Sequence, residues 1–185
     1  MPRFARSREY VSRFDDAADT AIDHLRGHPA VDRLFYAASE LGDFSLIWLI
    51  LGAARGVRSE RDERAALRVG LNCMLESALV NGVMKSFFRR SRPPWEGVRP
   101  HRLRQPLTSS FPSGHATSAF SNAILLAEDD PLAPLYYAVA VVVASSRLYV
   151  KIHHASDVLA GTVVGVALGL LGRRLMPLQP RRPVG

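Results

Sequence analysis

The sequence has little of what marks secreted or zinc-stabilised proteins. Cys73 is its only cysteine, so an intramolecular disulfide is excluded and a thiolate metal cluster is not expected. Residues 1–33 are too charged to form the apolar core of a secretory signal, so export as a soluble protein is not expected. Strand patterns are almost absent, because the valine run 139–143 is short and lies in alanine-rich sequence. These absences favour a helical protein without redox chemistry or structural zinc.

Lysine is almost missing as well, and the positive charge comes from arginine. The chain has 24 Lys and Arg residues against 17 Asp and Glu residues, and Lys85 and Lys151 are its only lysines. Such an excess of cations suits phosphate ligands, nucleic acid or an anionic membrane face. No nucleic-acid module is recognisable and aromatic residues do not alternate with the basic ones, so no nucleic-acid partner is expected. The arginine bias also indicates a bacterium with a GC-rich genome.

The remaining pattern is one of apolar helices. No linker divides the chain, so a single domain over residues 1–185 is predicted. Residues 1–33 alternate apolar and charged positions with helical spacing, which predicts an amphipathic helix on a bilayer or on the rest of the protein. Five apolar stretches of helical length follow, at 34–54, 66–84, 116–127, 132–144 and 158–171. We therefore expect an all-α bundle of about six helices.

Long apolar runs are missing too, which bears on whether this bundle lies in a membrane. The uncharged run 131–146 has sixteen residues, and a span takes about twenty. Four or five nearly apolar helices nevertheless leave little polar surface in a chain of this size, and arginines at helix ends can extend each span. The glycines at 161, 165 and 169 share one helix stripe, which lets helices approach closely in lipid. A membrane-embedded bundle is expected, and a soluble bundle is the alternative.

Three blocks of polar residues lie close to the ends of these apolar stretches. In chain order they are Lys85 with Arg92-Pro93, then Pro112-Ser113-Gly114-His115, then Ser146-Arg147 with His153 and Asp157. Over residues 85–157, their order and internal spacing resemble the signature of the type 2 phosphatidic acid phosphatase (PAP2) superfamily, which contains lipid phosphatases and vanadium haloperoxidases.

The residue types in these blocks suit phosphate-ester cleavage, which needs a nucleophile, an acid for the leaving oxygen and positive charge around the phosphoryl oxygens. His153 and Asp157 are four apart, so on a helix the carboxylate can hold Nδ1–H while Nε2 points at phosphorus. His115 follows a Pro-Ser-Gly turn at a helix start, where Ser113 and the backbone amides of Gly114 and His115 can bind an anion. An up-down bundle gathers the helix ends that carry the blocks on one side.

The resemblance also implies a role for each matched residue. His153 would be the nucleophile that becomes phosphohistidine, Asp157 its partner, and His115 the general acid. The residues implied as phosphate ligands are Lys85, Arg92, Ser113, Gly114 and Arg147. No metal and no cofactor are implied.

The expected function is a metal-independent lipid phosphatase that spans the bacterial plasma membrane several times, with its site at the outer face. A polyprenyl-linked phosphate or diphosphate is the preferred substrate, and phosphatidate, phosphatidylglycerophosphate and decaprenylphosphoryl-5-phosphoribose stay open. A vanadate-dependent haloperoxidase and a non-catalytic basic protein that binds membranes or nucleic acid are the rival functions. Outside the blocks, we expect Glu76 to pair with an arginine and the basic residues of 89–104 to face lipid headgroups.

Overall fold

The protein is all-helical, as predicted. The structure is a computed structural model that describes residues 2–96 and 98–179, and within these ranges it contains helices and no strand. The α-helices are α1 Pro2–Asp23, α2 Pro29–Leu41, α3 Leu46–Gly56, α4 Glu60–Ser77, α5 Lys85–Phe87, α6 Gly114–Leu126, α7 Ala133–Tyr149 and α8 Ala155–Leu175. Arg181 and Arg182 lie outside the described residues.

Helix α6 is the centre of the bundle and carries the Pro-Ser-Gly-His turn at its start. Ser113 caps it, because its hydroxyl accepts a hydrogen bond from the Ala116 amide (3.4 Å). The core around α6 contains fully buried Trp48 of α3 and Leu125, with buried Tyr136 of α7. These contacts fix the position of the turn relative to the neighbouring helices.

Helix α8 lies against α6 without space for side chains between them. A Cβ atom on Gly161 would overlap the carbonyl oxygen of Ser113, and one on Gly165 would overlap that of Thr117. The structure therefore has the close helix approach that the glycine stripe predicts. Because Asp157 lies in the first turn of α8, this packing also brings it to the start of α6, where the Ser113 amide donates to the Asp157 carbonyl (3.1 Å).

The stretch 34–54 was predicted as one helix, and this prediction is wrong. The chain bends by 71° between Pro29–Leu41 and Asp43–Gly56, with a 3-10 turn at Asp43–Ser45. Phe44 and Ser45 have φ values of 54° and 59°, a conformation that side chains disfavour and that tertiary contacts must stabilise. The Ser45 hydroxyl supplies one such contact, to the Ser118 hydroxyl of α6 (2.6 Å).

Helix α4 continues into a π-helix, Ala78–Met84, which leads directly to Lys85. Such wide turns in helices are frequent at functional sites. The extra residue per turn changes the direction in which the following side chains point. Lys85, the first residue after the π-helix, is buried.

Two parts of the described chain are long and apolar enough to cross a membrane. They are α8 and, if the bent pair α2 and α3 forms one span, that pair. The other helices also expose large apolar side chains, for example Met74 on α4 and Val141 on α7, which are 72% and 55% exposed. Apolar surface of this extent is typical of a protein in contact with lipid or with a partner.

At the far end of the bundle, three arginines bind the last carbonyl groups of α6. Arg55 donates to the Leu126 oxygen (2.6 Å), Arg68 to the Leu125 oxygen (2.6 Å), and Arg173 to the Ile124 oxygen (2.9 Å). Positive charge is favourable at the C-terminus of a helix. These contacts hold α6 at the end opposite to His115.

Candidate active site

The residues of the three sequence blocks lie at one end of the bundle. His153 is in the short connection between α7 and α8, and it is 2% exposed. The carbonyl oxygen of Arg147, near the end of α7, accepts hydrogen bonds from the amides of Ile152 (3.1 Å) and His153 (3.2 Å). The connection is thereby folded back onto α7, and His153 stays beside the residue that the sequence predicts as a phosphate ligand.

The pair His153 and Asp157 differs from the sequence prediction in one respect. His153 precedes α8, so the two residues do not share a helix face, and Nδ1 of His153 is 3.7 Å from Oδ2 of Asp157. That distance is within ion-pair range but too long for a hydrogen bond. His153 Nδ1 therefore has no hydrogen-bond partner among the described residues.

Asp157 is held by other groups. Its Oδ2 accepts a hydrogen bond from the His154 amide (2.9 Å), and its Oδ1 is 2.5 Å from Nη1 of Arg90. Arg90 also binds Asp15 of α1 (2.6 Å). Asp157 is fully buried, and its charge is compensated by Arg90. From the sequence, Arg90 was expected to face lipid headgroups. This interpretation is wrong, because its guanidinium binds Asp157 and Asp15, which are 67 and 75 residues away in the chain.

The protonation of His153 follows from its surroundings. Burial is the main cause that lowers the pKa of His153 to about 3; Arg147 and Arg92 act in the same direction, and the Asp157 carboxylate opposes them. The imidazole is therefore neutral at neutral pH, with a lone pair available on a ring nitrogen. Nε2 of His153 lies 3.4 Å from Nη1 of Arg92, so this nitrogen faces a cation.

Arg92 is fixed by the loop that carries it and by the α7–α8 connection. Its guanidinium donates to the carbonyl oxygens of Pro106 (3.1 Å), Thr108 (3.0 Å) and Ile152 (3.0 Å). Together with Lys85 it lines a cavity of about 600 Å³, whose wall also contains the apolar side chains of Phe88 and Leu107. The structure thus brings the first block next to the third.

His115 occupies a niche made by the bend between α2 and α3. Its Nε2 is 3.0 Å from the Ser39 carbonyl oxygen and 3.2 Å from Oδ1 of Asp43. Gly42 permits this approach, because a Cβ at that position would lie 2.5 Å from Cδ2 of His115 and 2.9 Å from Val143. Ser39 and Asp43 are contacts that the sequence analysis missed, and the motif spacing contains no signal for them.

Arg147 is the most deeply buried cation of the site, at 1% exposure. Its Nη1 makes a short hydrogen bond to the Ser39 hydroxyl. Its Nε and Nη2 have no partner among the described residues. Ser39 therefore joins Arg147 to His115, and Arg147 in turn is joined to His153 through its carbonyl group. Among the described contacts, the two histidines are connected through these intermediates and not directly.

In the Pro-Ser-Gly turn, the described contacts of Ser113 are structural. Ser113 is fully buried and caps α6, and its backbone carbonyl also accepts from the Thr117 hydroxyl (3.0 Å). Its role as a phosphate ligand remains a prediction. The amides of Gly114 and His115 belong to the first turn of α6, where backbone N–H groups and the helix dipole favour an anion.

Two expectations for residues outside the blocks change with the structure. Glu76 is buried, but its Oε1 has no partner among the described residues, so the expected arginine pair is absent there. Basic residues of the 89–104 loop also bind the protein itself. Arg99 stacks over Trp95 at 4.3 Å from the ring centre, and Arg104 stacks over Phe44 at 4.6 Å.

The chain is similar to known proteins both in sequence and in fold. The sequence profile of the PAP2 superfamily matches residues 66–181. A decaprenylphosphoryl-5-phosphoribose phosphatase of Mycolicibacterium smegmatis is 34% identical over 150 residues, which are 80% of this chain and 82% of that protein. The crystal structure of a transmembrane PAP2 type phosphatidylglycerolphosphate phosphatase from Bacillus subtilis has a TM-score of 0.65 and 26% identity, covering 90% of this chain and 86% of that one. LpxE of Aquifex aeolicus has a TM-score of 0.64 and 28% identity, covering 84% and 92%.

Proposed function

Because the chain belongs to the PAP2 superfamily and its relatives are lipid phosphatases, we propose that it removes a terminal phosphate from a polyprenyl-linked lipid through a phosphohistidine intermediate. The preference for a polyprenyl lipid is supported by the decaprenyl-linked substrate in the name of the Mycolicibacterium relative. The cavity beside Lys85 and Arg92 supports it as well, because Phe88 and Leu107 add apolar surface next to the cations. Phosphatidylglycerophosphate is the second candidate, because a structural neighbour is named for that activity.

One observation carries the proposal: Arg147, Lys85 and Arg92 form no ion pair with a carboxylate among the described residues, although Arg147 and Lys85 are buried. Arg147 is 1% exposed and has two N–H groups without a partner among the described residues, while Lys85 is 9% exposed beside Arg92. Leaving buried charged donors unpaired is costly. A phosphate group would supply acceptor oxygens for all three cations, and two of them are guanidinium groups suited to paired hydrogen bonds with it.

In the proposed first step, Nε2 of His153 attacks phosphorus. The N–P bond forms as the bond from phosphorus to the leaving oxygen breaks, and the electron pair of that bond goes to the leaving oxygen. The imidazole ring becomes positively charged, and the Asp157 carboxylate 3.7 Å from Nδ1 stabilises this charge. Arg92, Arg147 and Lys85 bind the phosphoryl oxygens throughout.

His115 supplies the proton to the leaving oxygen. Burial and Arg147 disfavour the protonated ring, whereas the Asp43 carboxylate and the Ser39 carbonyl, which both accept at Nε2, favour it. We propose that the negative charge of the bound phosphate adds to this support and that Nδ1 faces the substrate. In the second step, water gives a proton back to His115 and attacks phosphorus. The N–P bond then breaks, which releases phosphate and neutral His153. All charge compensation in this scheme comes from protein side chains, so we propose that the reaction needs no metal.

We further propose that the chain spans the plasma membrane several times and that the site faces outward. Large apolar side chains on the outer surfaces of α4, α7 and α8 support several spans. Arginine-rich connections are expected on the cytoplasmic side. Arginines lie at both ends of the bundle: Arg55, Arg58, Arg61, Arg64, Arg68, Arg173 and Arg174 at the end opposite to His153, and Arg89, Arg90, Arg92, Arg99, Arg102 and Arg104 in the loop at the site end.

The test uses detergent-purified protein with EDTA. Release of phosphate is measured from polyprenyl diphosphate, decaprenylphosphoryl-5-phosphoribose, phosphatidylglycerophosphate and phosphatidate. We expect the highest kcat/KM for a polyprenyl-linked substrate, and a loss of roughly 10³-fold or more in His153→Ala and of roughly 10²-fold or more in His115→Ala. Full turnover in His153→Ala, or strict dependence on an added divalent metal, would overturn the mechanism. Halide oxidation that requires added vanadate would indicate a haloperoxidase instead.

A further inference from the structure

Helix α1 lies across the end of the bundle that contains the candidate site. Asp15 accepts hydrogen bonds from the backbone amide (2.8 Å) and hydroxyl (2.9 Å) of Ser156, at the start of α8. Arg26, just beyond α1, donates to the carbonyl oxygen of Tyr149 (2.9 Å), at the end of α7. The two anchors are about 16 Å apart along a helix. They meet two different helices at the same end, so α1 crosses that end and does not run alongside a single neighbour.

The side of α8 is left uncovered by α1. Leu159 and Val163, one and two turns further along α8, are 57% and 62% exposed. Between its two anchors, α1 makes a further ion pair with Lys151 through Asp19 (3.0 Å), again in the α7–α8 connection. Helix α1 is thus bound at the level of the site and not at the level of the bundle's middle.

The surface of α1 has three distinct sides. Asp15, Asp19 and Ile22 face the bundle. One flank is apolar and exposed, and its residues Tyr10, Phe14, Ala17 and Ala21 recur at spacings of four, three and four. Tyr10 is 63% and Phe14 48% exposed. The other flank is polar and exposed, and it consists of Glu9, Ser12, Asp16 and Thr20.

We propose that α1 is an interfacial helix that lies in the headgroup layer at the active-site face of the membrane, with Tyr10 and Phe14 in contact with the acyl chains. When a helix with an apolar flank and a charged flank lies parallel to the bilayer, its apolar flank contacts lipid and its charged flank contacts water. Arg6 and Arg13 border the apolar flank and are exposed, and Arg13 also pairs with Glu9 (2.6 Å). Exposed cations at this position suit anionic headgroups. The proposal rests on the membrane location and is independent of which lipid phosphate is the substrate.

The position of α1 also links the membrane surface to the site. Asp15, on its inner side, binds Arg90 (2.6 Å), and Arg90 binds Asp157 beside the proposed nucleophile. Asp15 is therefore a positioning residue, since it reaches the reacting groups only through Arg90. A helix in the headgroup layer would hold the ion pairs of Asp15, Arg90 and Asp157 at a fixed depth relative to the membrane surface.

Spin labels can test the depth of each flank. In a Cys73→Ala background, single cysteines are introduced as Phe14→Cys on the apolar flank and Asp16→Cys on the polar flank. The labelled proteins are reconstituted in vesicles of phosphatidylcholine and phosphatidylglycerol. We expect the label at position 14 to collide several-fold more with oxygen than with a water-soluble nickel chelate, and the label at 16 to show the reverse.

Three outcomes would overturn the proposal. Equal collision with the chelate at both positions would put α1 in water, and oxygen-dominated collision at both would bury it in the acyl region. Spin–spin broadening at position 14 that disappears on dilution with unlabelled protein would indicate a second copy of the chain on this flank.

A kinetic measurement separates the membrane contact from the chemistry. The double variant Tyr10→Ser, Phe14→Ser removes apolar surface from the flank, and we expect its KM for a lipid phosphate in vesicles to rise at least about tenfold. Its turnover of a water-soluble phosphate ester in detergent should be unchanged, which also shows that the site is intact. Ser12→Ala with Thr20→Ala, on the polar flank, is the matched control and should leave both values unchanged. An unchanged KM in the apolar-flank variant contradicts the proposal, whatever the preferred substrate.

Discussion

His153 and His115 each lie beside a carboxylate, and the two carboxylates have different surroundings. Asp157 is fully buried and shares its charge with Arg90. The side chain of Asp43 is 17% exposed, and its neighbour is the His115 ring. A partly exposed carboxylate leaves the ring that it contacts close to water, whereas Asp157 is shielded from water and paired with Arg90. This difference matches a group that stabilises a charged intermediate on one side and a group that supports proton transfer on the other.

Asp43→Asn tests the support of His115. We expect kcat for an alkyl phosphate to fall roughly 10²-fold, because the protonated ring loses its stabilising charge. An aryl phosphate, whose leaving group needs no proton, should lose far less, and the ratio of the two rates is the measurement. Glu40→Gln, an exposed neighbour on α2, is the control. Equal losses for both substrates would indicate a structural role.

Arg92→Gln tests the electrostatics around His153. Because Arg92 lowers the pKa of His153, removing its charge should raise that pKa, and the acidic limb of kcat/KM should move to higher pH. The direction follows because the neutral ring is the proposed nucleophile, so activity is lost as pH falls through the pKa. The pH profile of kcat/KM is the measurement, and Arg89→Gln, an exposed arginine of the same loop, should leave the limb in place. A limb at the same pH in both variants contradicts the assignment.

Residues with a local sequence signal could be predicted, and residues without one could not. Lys85, Arg92, His115, Arg147, His153 and Asp157 were identified by spacing within blocks, and the structure brings these blocks to one end of the bundle. Ser39, Asp43 and Arg90 have no such spacing, because each meets its partner through the fold across 67 residues or more. The catalytic roles themselves remain predictions.

Among the contacts between helices, the one between α6 and α8 is the most extensive. It joins the turn that carries His115 to the helix start that carries Asp157, and glycines make it possible. The glycine stripe was visible in the sequence because its period is local. The bend between α2 and α3 was not, because neither proline nor an accumulation of glycine marks it, and contacts with α6 such as that of Ser45 stabilise it. The π-helix before Lys85 likewise has no local signal.

Gly165→Ala should destabilise the protein by about 1–3 kcal/mol, because the added methyl group overlaps the Thr117 carbonyl and forces the two helices apart. The free energy of unfolding in detergent is the measurement. Val163→Ala, an exposed position on the same helix, is the control and should change it by less than about 0.5 kcal/mol. A neutral effect of Gly165→Ala would mean that α6 and α8 are not in close contact.

The two ends of the molecule differ in how their arginines are paired. At the far end, arginines are paired: Arg68 binds Glu128 (2.7 Å), Arg61 binds Asp129 (2.6 Å), and Arg58 pairs with Asp130. At the site end, Arg147 has two donors without a partner and no ion pair among the described residues. Arg61 and Arg68 also have one unpartnered donor each, but both are ion-paired. Paired cations stabilise the fold, and unpaired ones are available for a ligand.

Arg68→Gln should therefore affect stability and leave catalysis intact. We expect a loss of about 2 kcal/mol in the free energy of unfolding, because Glu128 and the Leu125 carbonyl lose a charged donor, while KM and kcat stay at their wild-type values below the unfolding range. Arg64→Gln, an exposed arginine of the same helix, is the control for both measurements. A change in KM without a change in stability would mean that the two ends are coupled.

The carbonyl group of Arg147 has a consequence for how this chain can vary in length. It accepts hydrogen bonds from the amides of both Ile152 and His153, so Arg147 and the proposed nucleophile, six positions apart, are joined at one oxygen atom. Inserting even a single residue between them would break that tie and rotate the imidazole out of the cluster. The distance from guanidinium to imidazole is thus set by the backbone itself, so we expect the number of residues between Arg147 and His153 to be fixed.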